Sequence, residues 1–262
     1  MPLLSIITPT HCAEAGLEAT IQSVLAQDRT LFEYIIVDGG STDGTIEIIK
    51  SYADRVRWIS EEDSGVYDGM NKGIALSKGR YLYFIGAGDT LRPGVLAQIA
   101  ASLPEHDRGL VYGDFCLRHD ATRYYGEVSK YFLCFVYNIC HQSAFYGRGV
   151  FELFGHYDLR YPVRADYAIN VQAFCDARIE KRYVDLVIAD YERGGISELN
   201  EDRVFAHDFP ELVRKSLGLG DGLLLVPLFN FVMRMKFNSS FRAFGRRLLQ
   251  AFAAVTRVFR GA

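Results

Sequence analysis

Two aspartates stand where short apolar runs give out. Asp38 closes the run Tyr34–Val37 and leads into Gly39–Gly44, and Asp89 follows Tyr81–Ile85 across Gly86, Ala87 and Gly88. A short Val/Ile run reads as a buried parallel strand, and in open α/β sheets ligands bind where such strands stop. Asp38 is therefore expected beside a ligand, with the bland alternative that Asp38 and Asp43 form an Asx turn and cap the helix starting near Thr45. The small residues before Asp89 let a charged ligand approach the backbone while one carboxylate points at it. That suits Mg²⁺ or Mn²⁺, which takes one or two protein carboxylates and completes its shell with phosphate oxygens and water. The competing reading is again a cap, because Arg92-Pro93-Gly94 opens a helix just beyond.

Between these loops, Asp68, Asn71 and Lys72 fall on one face of an expected helix, with Val66, Met70 and Ile74 on another. A polar face with a lysine near strand ends could hold a diphosphate or a ribose, or be solvated. In the second half, His141–Tyr146 reads as a strand with a polar entrance, and Arg164-Ala165-Asp166 leads into a helix ending near Cys175. As a lone motif Asp166 is best read as that helix's N-cap. His141 is equally a core histidine satisfied by backbone. His11, His106, His119, His156 and His207 have no metal-ligand spacing.

The elements that must position these groups alternate. Leu3–Thr8, Glu33–Val37, Val56–Ser60 and Tyr81–Ile85 are expected strands; Leu17–Ala26, Thr45–Tyr52 and Val66–Leu76 are expected helices. That βαβα order predicts an α/β fold with a mostly parallel, Rossmann-like sheet flanked by helices, its loops gathered along one edge. Three of those loops, at Thr8-Pro9-Thr10, Asp38–Gly44 and Gly86–Thr90, carry the candidate chemistry. With 262 residues and 49% hydrophobic content, the chain can bury a large core as one domain with an appendage. Five cysteines without a C-x-x-C pair fit free thiols in a reducing compartment. The N-terminus enters a strand at once, without a basic, long apolar leader, so export is not expected.

The net charge of −3 hides an asymmetry. After Asp221 there is no acid but seven basic residues; removing those from 29 Lys+Arg leaves 22 against 32 acids, about −10 for residues 1–221. The apolar stretch Leu223–Met233 is much shorter than the ~20 residues that span a bilayer. Phe241, Phe244, Leu248, Phe252, Val255 and Phe259 recur every three or four residues, opposite Arg242, Arg246, Arg247, Arg257 and Arg260. This predicts an amphipathic helix lying in an anionic membrane interface, the alternative being a helix docked on the domain or a second subunit. The expected division is residues 1–217 as the domain and 218–262 as a helical, basic, membrane-associating tail. No nucleic-acid recognition module accompanies the basic residues, so nucleic acid is not an expected partner.

Four ordered segments carry a resemblance: SIITPT at Ser5–Thr10, IVDGGSTDGT at Ile36–Thr45, DSGVYDGMNKG at Asp63–Gly73 and GRYLYFIGAGD at Gly79–Asp89. Together they resemble the motifs of family 2 glycosyltransferases over roughly the first 200 residues, most of all bacterial enzymes of exopolysaccharide and colanic-acid-type assembly. The resemblance implies a GT-A fold, a nucleotide-diphosphate sugar donor (UDP- or GDP-sugar) and inversion at the anomeric carbon. It implies that Thr8, Pro9 and Thr10 line the nucleotide pocket, that Asp38 accepts hydrogen bonds from the base, and that Asp63 and Lys72 lie near the nucleotide and diphosphate. Asp89 matches the last aspartate of the family's metal element, with Gly86, Ala87 and Gly88 in place of acidic or amide residues before it. Asp166 matches the catalytic aspartate, and His141 and Gln142 fall on the acceptor side. The expectation is thus an inverting hexosyltransferase that uses Mg²⁺ or Mn²⁺ and a lipid-linked saccharide acceptor in surface polysaccharide biosynthesis, peripheral on the cytoplasmic face of the inner membrane. A nucleotidyltransferase on a similar scaffold is one alternative, although it should carry a glycine- and lysine-rich phosphate loop near residue 10. A non-catalytic membrane-bound adaptor of the same fold is the other.

Overall fold

The computed structural model describes residues 2–118, 120–124, 126–192 and 201–219. The first half follows the expected alternation: β1 (Leu4–Thr10), α1 (Leu17–Leu25), β2 (Phe32–Asp38), α2 (Thr45–Ser51), β3 (Arg57–Ser60), α3 (Val66–Leu76) and β4 (Tyr81–Phe84). β1 pairs in parallel with both β2 and β4, and β2 with β3. Sequence order runs outward from β1 to β3 and then returns to β4 on the other side of β1. A crevice therefore opens beyond the carboxyl ends of β1 and β4, where the strand order reverses.

The second half adds β5 (Thr90–Leu91), α4 (Val95–Ala100), β6 (Gly109–Leu117), β7 (Asp120–Tyr124), α5 (Lys130–Phe135), a 3₁₀ turn at His141–Ser143, β8 (Ala144–Gly147), α6 (Arg148–Phe154), α7 (Ala165–Cys175), β9 (Glu180–Tyr191) and α8 (Arg203–Ser216). The sheet reads β3-β2-β1-β4-β8-β6-β9-β5, with β7 on β6. β8 lies antiparallel between β4 and β6, whereas β6 and β9 are parallel. The sheet is thus parallel through its first four strands and mixed beyond them, flanked by helices as a GT-A fold is. The strand expected over His141–Tyr146 begins only at Ala144, because His141–Ser143 turn first.

Period-two alternation sends side chains to two cores, one on each face of the sheet. Ile7, Leu82 and Phe84 pack with α3, α6, α7 and α8, while Leu4, Ile6, Tyr81 and Tyr83 pack with α1, α2 and α4. Burial on both faces is why the strands read as continuous apolar runs. α3 approaches β1 so closely that a Cβ at Gly73 would stand 2.4 Å from Ile7 Cγ2, so only glycine admits this packing. Among the described residues no helix is long and apolar enough to cross a membrane. The tail expected over 218–262, and its amphipathic stretch in particular, lies outside the described residues from 220 onward.

Candidate active site

At the carboxyl end of β2, Asp38 is fully buried and accepts from Gly40 N and Ser41 N at 3.0 Å each, from Ser60 Oγ at 2.7 Å, and from the Ser41 hydroxyl. Burial works against its charge, but these hydrogen bonds outweigh it and hold the carboxyl below its ordinary range. Its neighbour Asp43 accepts from Thr45 N and Glu14 N, tying the loop to the head of α2 and to the β1–α1 connection. Asp38 thus shapes the loop from behind; Gly39, not Asp38, faces the cleft. Thr8 also lies behind the wall, its hydroxyl paired with Tyr34 at 3.0 Å.

That cleft is open, about 1330 Å³, and lined near β1 by Pro9, Thr10, His11, Gly39 and Asp63. Thr10 Oγ1 is buried with no hydrogen-bond partner. A hydroxyl in that state costs stability unless something in the cleft satisfies it. Asp63 accepts from Gly65 N at 2.9 Å, which shapes the entry to α3. Lys72 points elsewhere: Nζ bonds Glu62 O at 2.7 Å and Glu61 Oε1 at 3.0 Å, away from the cleft wall. The other members of its helix face are structural, Asp68 accepting from Ser64 N and Asn71 bridging the Tyr157 backbone.

Asp89 comes into the cleft from the loop after β4. The Thr20 hydroxyl of α1 accepts from Gly88 N at 2.9 Å and donates to Asp89 O at 2.7 Å, so the loop is clamped to a helix. The carboxylate accepts from Gln142 Nε2 and from Glu192 N, each at 2.9 Å. Burial raises its pKa, against those two hydrogen bonds and the positive potential of His141 and Arg118. A Cβ at Gly86 would stand 3.0 Å from Asp89 Oδ2, so a larger residue there would press on the carboxylate the cleft presents. No set of three His, Cys, Asp or Glu side chains converges among the described residues. A cation held here would have Asp89 as its protein anchor, on an oxygen with lone pairs to spare. That fits Mg²⁺ or Mn²⁺ drawing most of its shell from a diphosphate and water.

Asp166 is the second residue of α7 rather than its cap, the N-cap position falling to Arg164. The approach to the helix is pinned by Asp202, which accepts from Val163 N and Arg164 N. Tyr67 Oη donates to Asp166 Oδ1 at 2.9 Å, and Tyr167 N donates to the same oxygen at 2.8 Å. Oδ2 accepts from Asn138 Nδ2 at 3.0 Å and faces His141 Nδ1 at 3.5 Å. Burial first, and the Asp166 charge second, hold the Tyr67 phenol well above its ordinary range, so Tyr67 stays a donor. Oδ1 thus has two hydrogen-bond donors and Oδ2 one, with the His141 ring beside it, and the residue lines the cleft.

The 3₁₀ turn joins the two carboxylates. His141 faces Asp166, and the adjacent Gln142 bonds Asp89. A polar wall runs from the β1 end through Asp89 to Asp166, while Phe115, Leu117, Tyr124, Phe132 and Tyr137 make the far side apolar. Of the residues expected at the site, Pro9, Thr10, Asp63, Asp89, His141, Gln142 and Asp166 share this cleft; Thr8, Asp38 and Lys72 do not line it.

The model of the family described as Glycosyl transferase family 2 matches residues 5–159 of this sequence. The chain belongs to glycosyltransferase family 2. The family match ends before Asp166, which reaches the cleft only through α7. A glycosyltransferase of PGL/p-HBAD biosynthesis from Mycobacterium bovis BCG is 40% identical over 225 residues, covering 83% of this chain and 88% of the relative. Among solved structures, Staphylococcus aureus TarS in complex with UDP superposes with a TM-score of 0.68 at 16% identity, over 90% of this chain and 70% of the other. The mannosyltransferase PcManGT from Pyrobaculum calidifontis, in complex with GDP-Man and Mn²⁺, gives 0.60 at 13% identity, over 100% and 88%. At those identities the structures establish the fold alone, and that fold is GT-A.

Sequence reasoning missed Tyr67 and Asn138, which bond Asp166, and Arg164 and Glu192 on the cleft wall. Tyr67 lies inside a motif already singled out, at helical spacing from Asp63. Asn138 sits in Tyr137–Cys140, which has no periodicity or spacing to distinguish it.

Proposed function

We propose that this glycosyltransferase moves a hexose from a nucleotide-diphosphate sugar to a lipid-linked saccharide acceptor in bacterial surface polysaccharide biosynthesis, with inversion. The observation that carries the reading is the 3₁₀ turn whose consecutive residues contact one buried carboxylate each. On this reading the Asp89 end is the leaving-group side and the Asp166 end the proton-accepting side of one cleft. Inversion on this reading has the acceptor oxygen attack the face of the sugar carbon opposite the leaving diphosphate.

On this reading the unsatisfied Thr10 hydroxyl, Pro9 and Asp63 receive the nucleoside, with Asp38 and Thr8 supporting that wall from behind. The donor base is uracil or guanine, in keeping with UDP and GDP-Man in the two structural neighbours. Asp89 anchors a Mg²⁺ or Mn²⁺, which when bound neutralises charge on the departing diphosphate. Gln142 and Glu192 N fix the Asp89 carboxylate for that task. Lys72, engaged with Glu61 and the Glu62 backbone, is not assigned the diphosphate; Arg164 is a cation on the cleft wall. The acceptor hydroxyl is a poor nucleophile at neutral pH, so Asp166 Oδ2 takes its proton as the new C–O bond forms. The transition state has oxocarbenium character, and the nucleoside diphosphate leaves as charge builds on it. Nucleotidyl transfer is the weaker reading, since the β1 loop carries Thr10, His11 and Cys12 rather than a phosphate-cradling glycine run.

The direct test is release of UDP or GDP from UDP-glucose, UDP-N-acetylglucosamine and GDP-mannose, with Mn²⁺ and undecaprenyl-diphosphate-linked saccharides. Acceptor-dependent release with an inverted product supports the reading; vesicle binding with no release from any donor would leave the adaptor.

The basic tail, peripheral on the cytoplasmic face of the inner membrane, brings the cleft to its acceptor in this reading. Each arginine near an anionic surface contributes about 1 kcal/mol, screened over about a Debye length. The full-length protein is expected to co-sediment with anionic vesicles at low salt and to be released as salt rises. Deletion of residues 238–262 should abolish binding while UDP affinity is kept. Indifference of the full-length protein to such vesicles, or unfolding on truncation, would assign the tail to packing instead.

A further inference from the structure

Asn138 bonds Asp166 at one end and Asn170 at the other. Its Nδ2 donates to Asp166 Oδ2 at 3.0 Å, and its Oδ1 accepts from Asn170 Nδ2 at 2.9 Å. Asn170, fully buried, also donates from Nδ2 to Ile139 O at 3.2 Å and accepts at Oδ1 from Tyr146 Oη at 2.9 Å. Burial holds the Tyr146 phenol far above its ordinary range, so it stays protonated and donates.

Each link has a fixed sense. An asparagine amide is two-faced: turned over, it offers an oxygen where it offered an N–H. The Ile139 carbonyl can only accept, so Asn170 must present its NH₂ there and its oxygen to Tyr146. Asn170 then offers an N–H to Asn138, which must answer with its oxygen. That leaves the Asn138 NH₂ facing Asp166, and the reverse orientation would set an amide oxygen against a carboxylate.

We propose that Asn138, locked in sense by Asn170 and Tyr146, is the positioning residue that orients the Asp166 carboxylate for proton transfer at Oδ2. The proposal rests on the reading of Asp166 as the base. Oδ1 is held by Tyr67 and Tyr167 N, so the Asn138 bond decides where the remaining Oδ2 acceptor position points. The other titratable groups around Asp166 are Tyr67 from α3, Cys140 and His141 before β8, Tyr146 of β8, Tyr157 after α6, and Arg164 at the head of α7. Tyr67 reaches Oδ1 and His141 faces Oδ2 directly, without Asn138 as an intermediary, so the Asn138 variants remove the Asn138 bond alone.

The test uses the full-length chain and whichever of UDP-glucose, UDP-N-acetylglucosamine or GDP-mannose it turns over. kcat is measured across pH, with affinity for the matching nucleoside diphosphate, UDP or GDP, in the presence of Mn²⁺ and thermal stability alongside. Asn138→Ala should lower kcat roughly 10- to 100-fold, the cost of a misplaced reacting group, with that affinity within about twofold. The acid limb of the pH–kcat profile should move up, because a hydrogen bond favouring the ionised carboxylate is gone. Asn138→Asp should move it farther through like charge, and Asn170→Leu should act in the same direction as Asn138→Ala. Asn138 is half-buried in a connecting segment, so its variants carry the test if Asn170→Leu does not fold. A kcat loss with an unmoved acid limb would reduce Asn138 to a structural role and overturn the proposal. So would parental kcat and limb in the Asn138 variants beside an inactive Asp166→Asn. If Asp166→Asn itself keeps parental turnover, the reading of the base fails, and the proposal falls with it.

Discussion

Asp166→Asn is expected to bind UDP with Mn²⁺ as the parent does and to turn over the donor roughly 10²–10⁴-fold more slowly, the usual contribution of a positioned general base. The substitution is nearly isosteric. Its amide oxygen still accepts from Tyr67 and Tyr167 N at the Oδ1 position, so the head of α7 has no reason to move. At the Oδ2 position the new NH₂ faces Asn138 Nδ2, donor against donor, and it can accept no proton from an incoming hydroxyl. The loss should therefore appear in kcat and leave donor affinity alone, since in the proposed reading the donor is held by groups other than Asp166. Measuring transfer rate and UDP affinity on the same preparation separates the two. Near-parental turnover would remove Asp166 from the chemistry.

Asp89→Asn should weaken Mn²⁺-dependent UDP binding on the order of 100-fold while uridine binding changes little, because only the diphosphate shares a cation with the carboxylate. The pH dependence has a definite sign. Burial raises the Asp89 pKa, so the folded state holds this proton more tightly than the unfolded chain does. Its contribution to stability is complete below the ordinary carboxylate range and is lost as pH rises through the raised value. The ligand-free parent should carry that falling component in its thermal stability, and the Asn variant should lack it. Metal-dependent UDP binding runs the other way, declining as pH falls through the same value, since a protonated carboxyl is a poor ligand. Calorimetric titration of UDP and uridine, with and without Mn²⁺ over a pH series, reads both effects. Equal losses for the two ligands, or parental UDP binding that ignores Mn²⁺, would mean that the glycines before Asp89 leave no cation site.

How legible the site was depended on the range of the interactions. The β1–β4 alternation and its loop edge could be read locally, because continuous apolar runs mark strands buried on both faces and a 3.6-residue period marks the helices between them. Pro9, Thr10 and Asp89 followed from that edge, each in a loop expected just past a strand, whereas Asp63 was named only by the family resemblance. Asp166 could be named from its resemblance to a motif, yet its local pattern argued for a helix cap. Only the convergence of α3, α7 and the 139–142 segment gives it Tyr67, Asn138 and His141.

Sequence alone thus determined the α/β class, the order of the first strands and helices, the edge where a ligand binds and the acidic body with its basic tail. Tertiary structure decided which polar side chains face that edge. It turned Asp38 inward to hold its own loop and drew Lys72 to Glu61 and Glu62. Residue type says that a carboxylate or an ammonium must find partners, but partners up to a hundred residues away, such as Tyr67 for Asp166, compete with local ones in an order that only the packed sheet and helices establish.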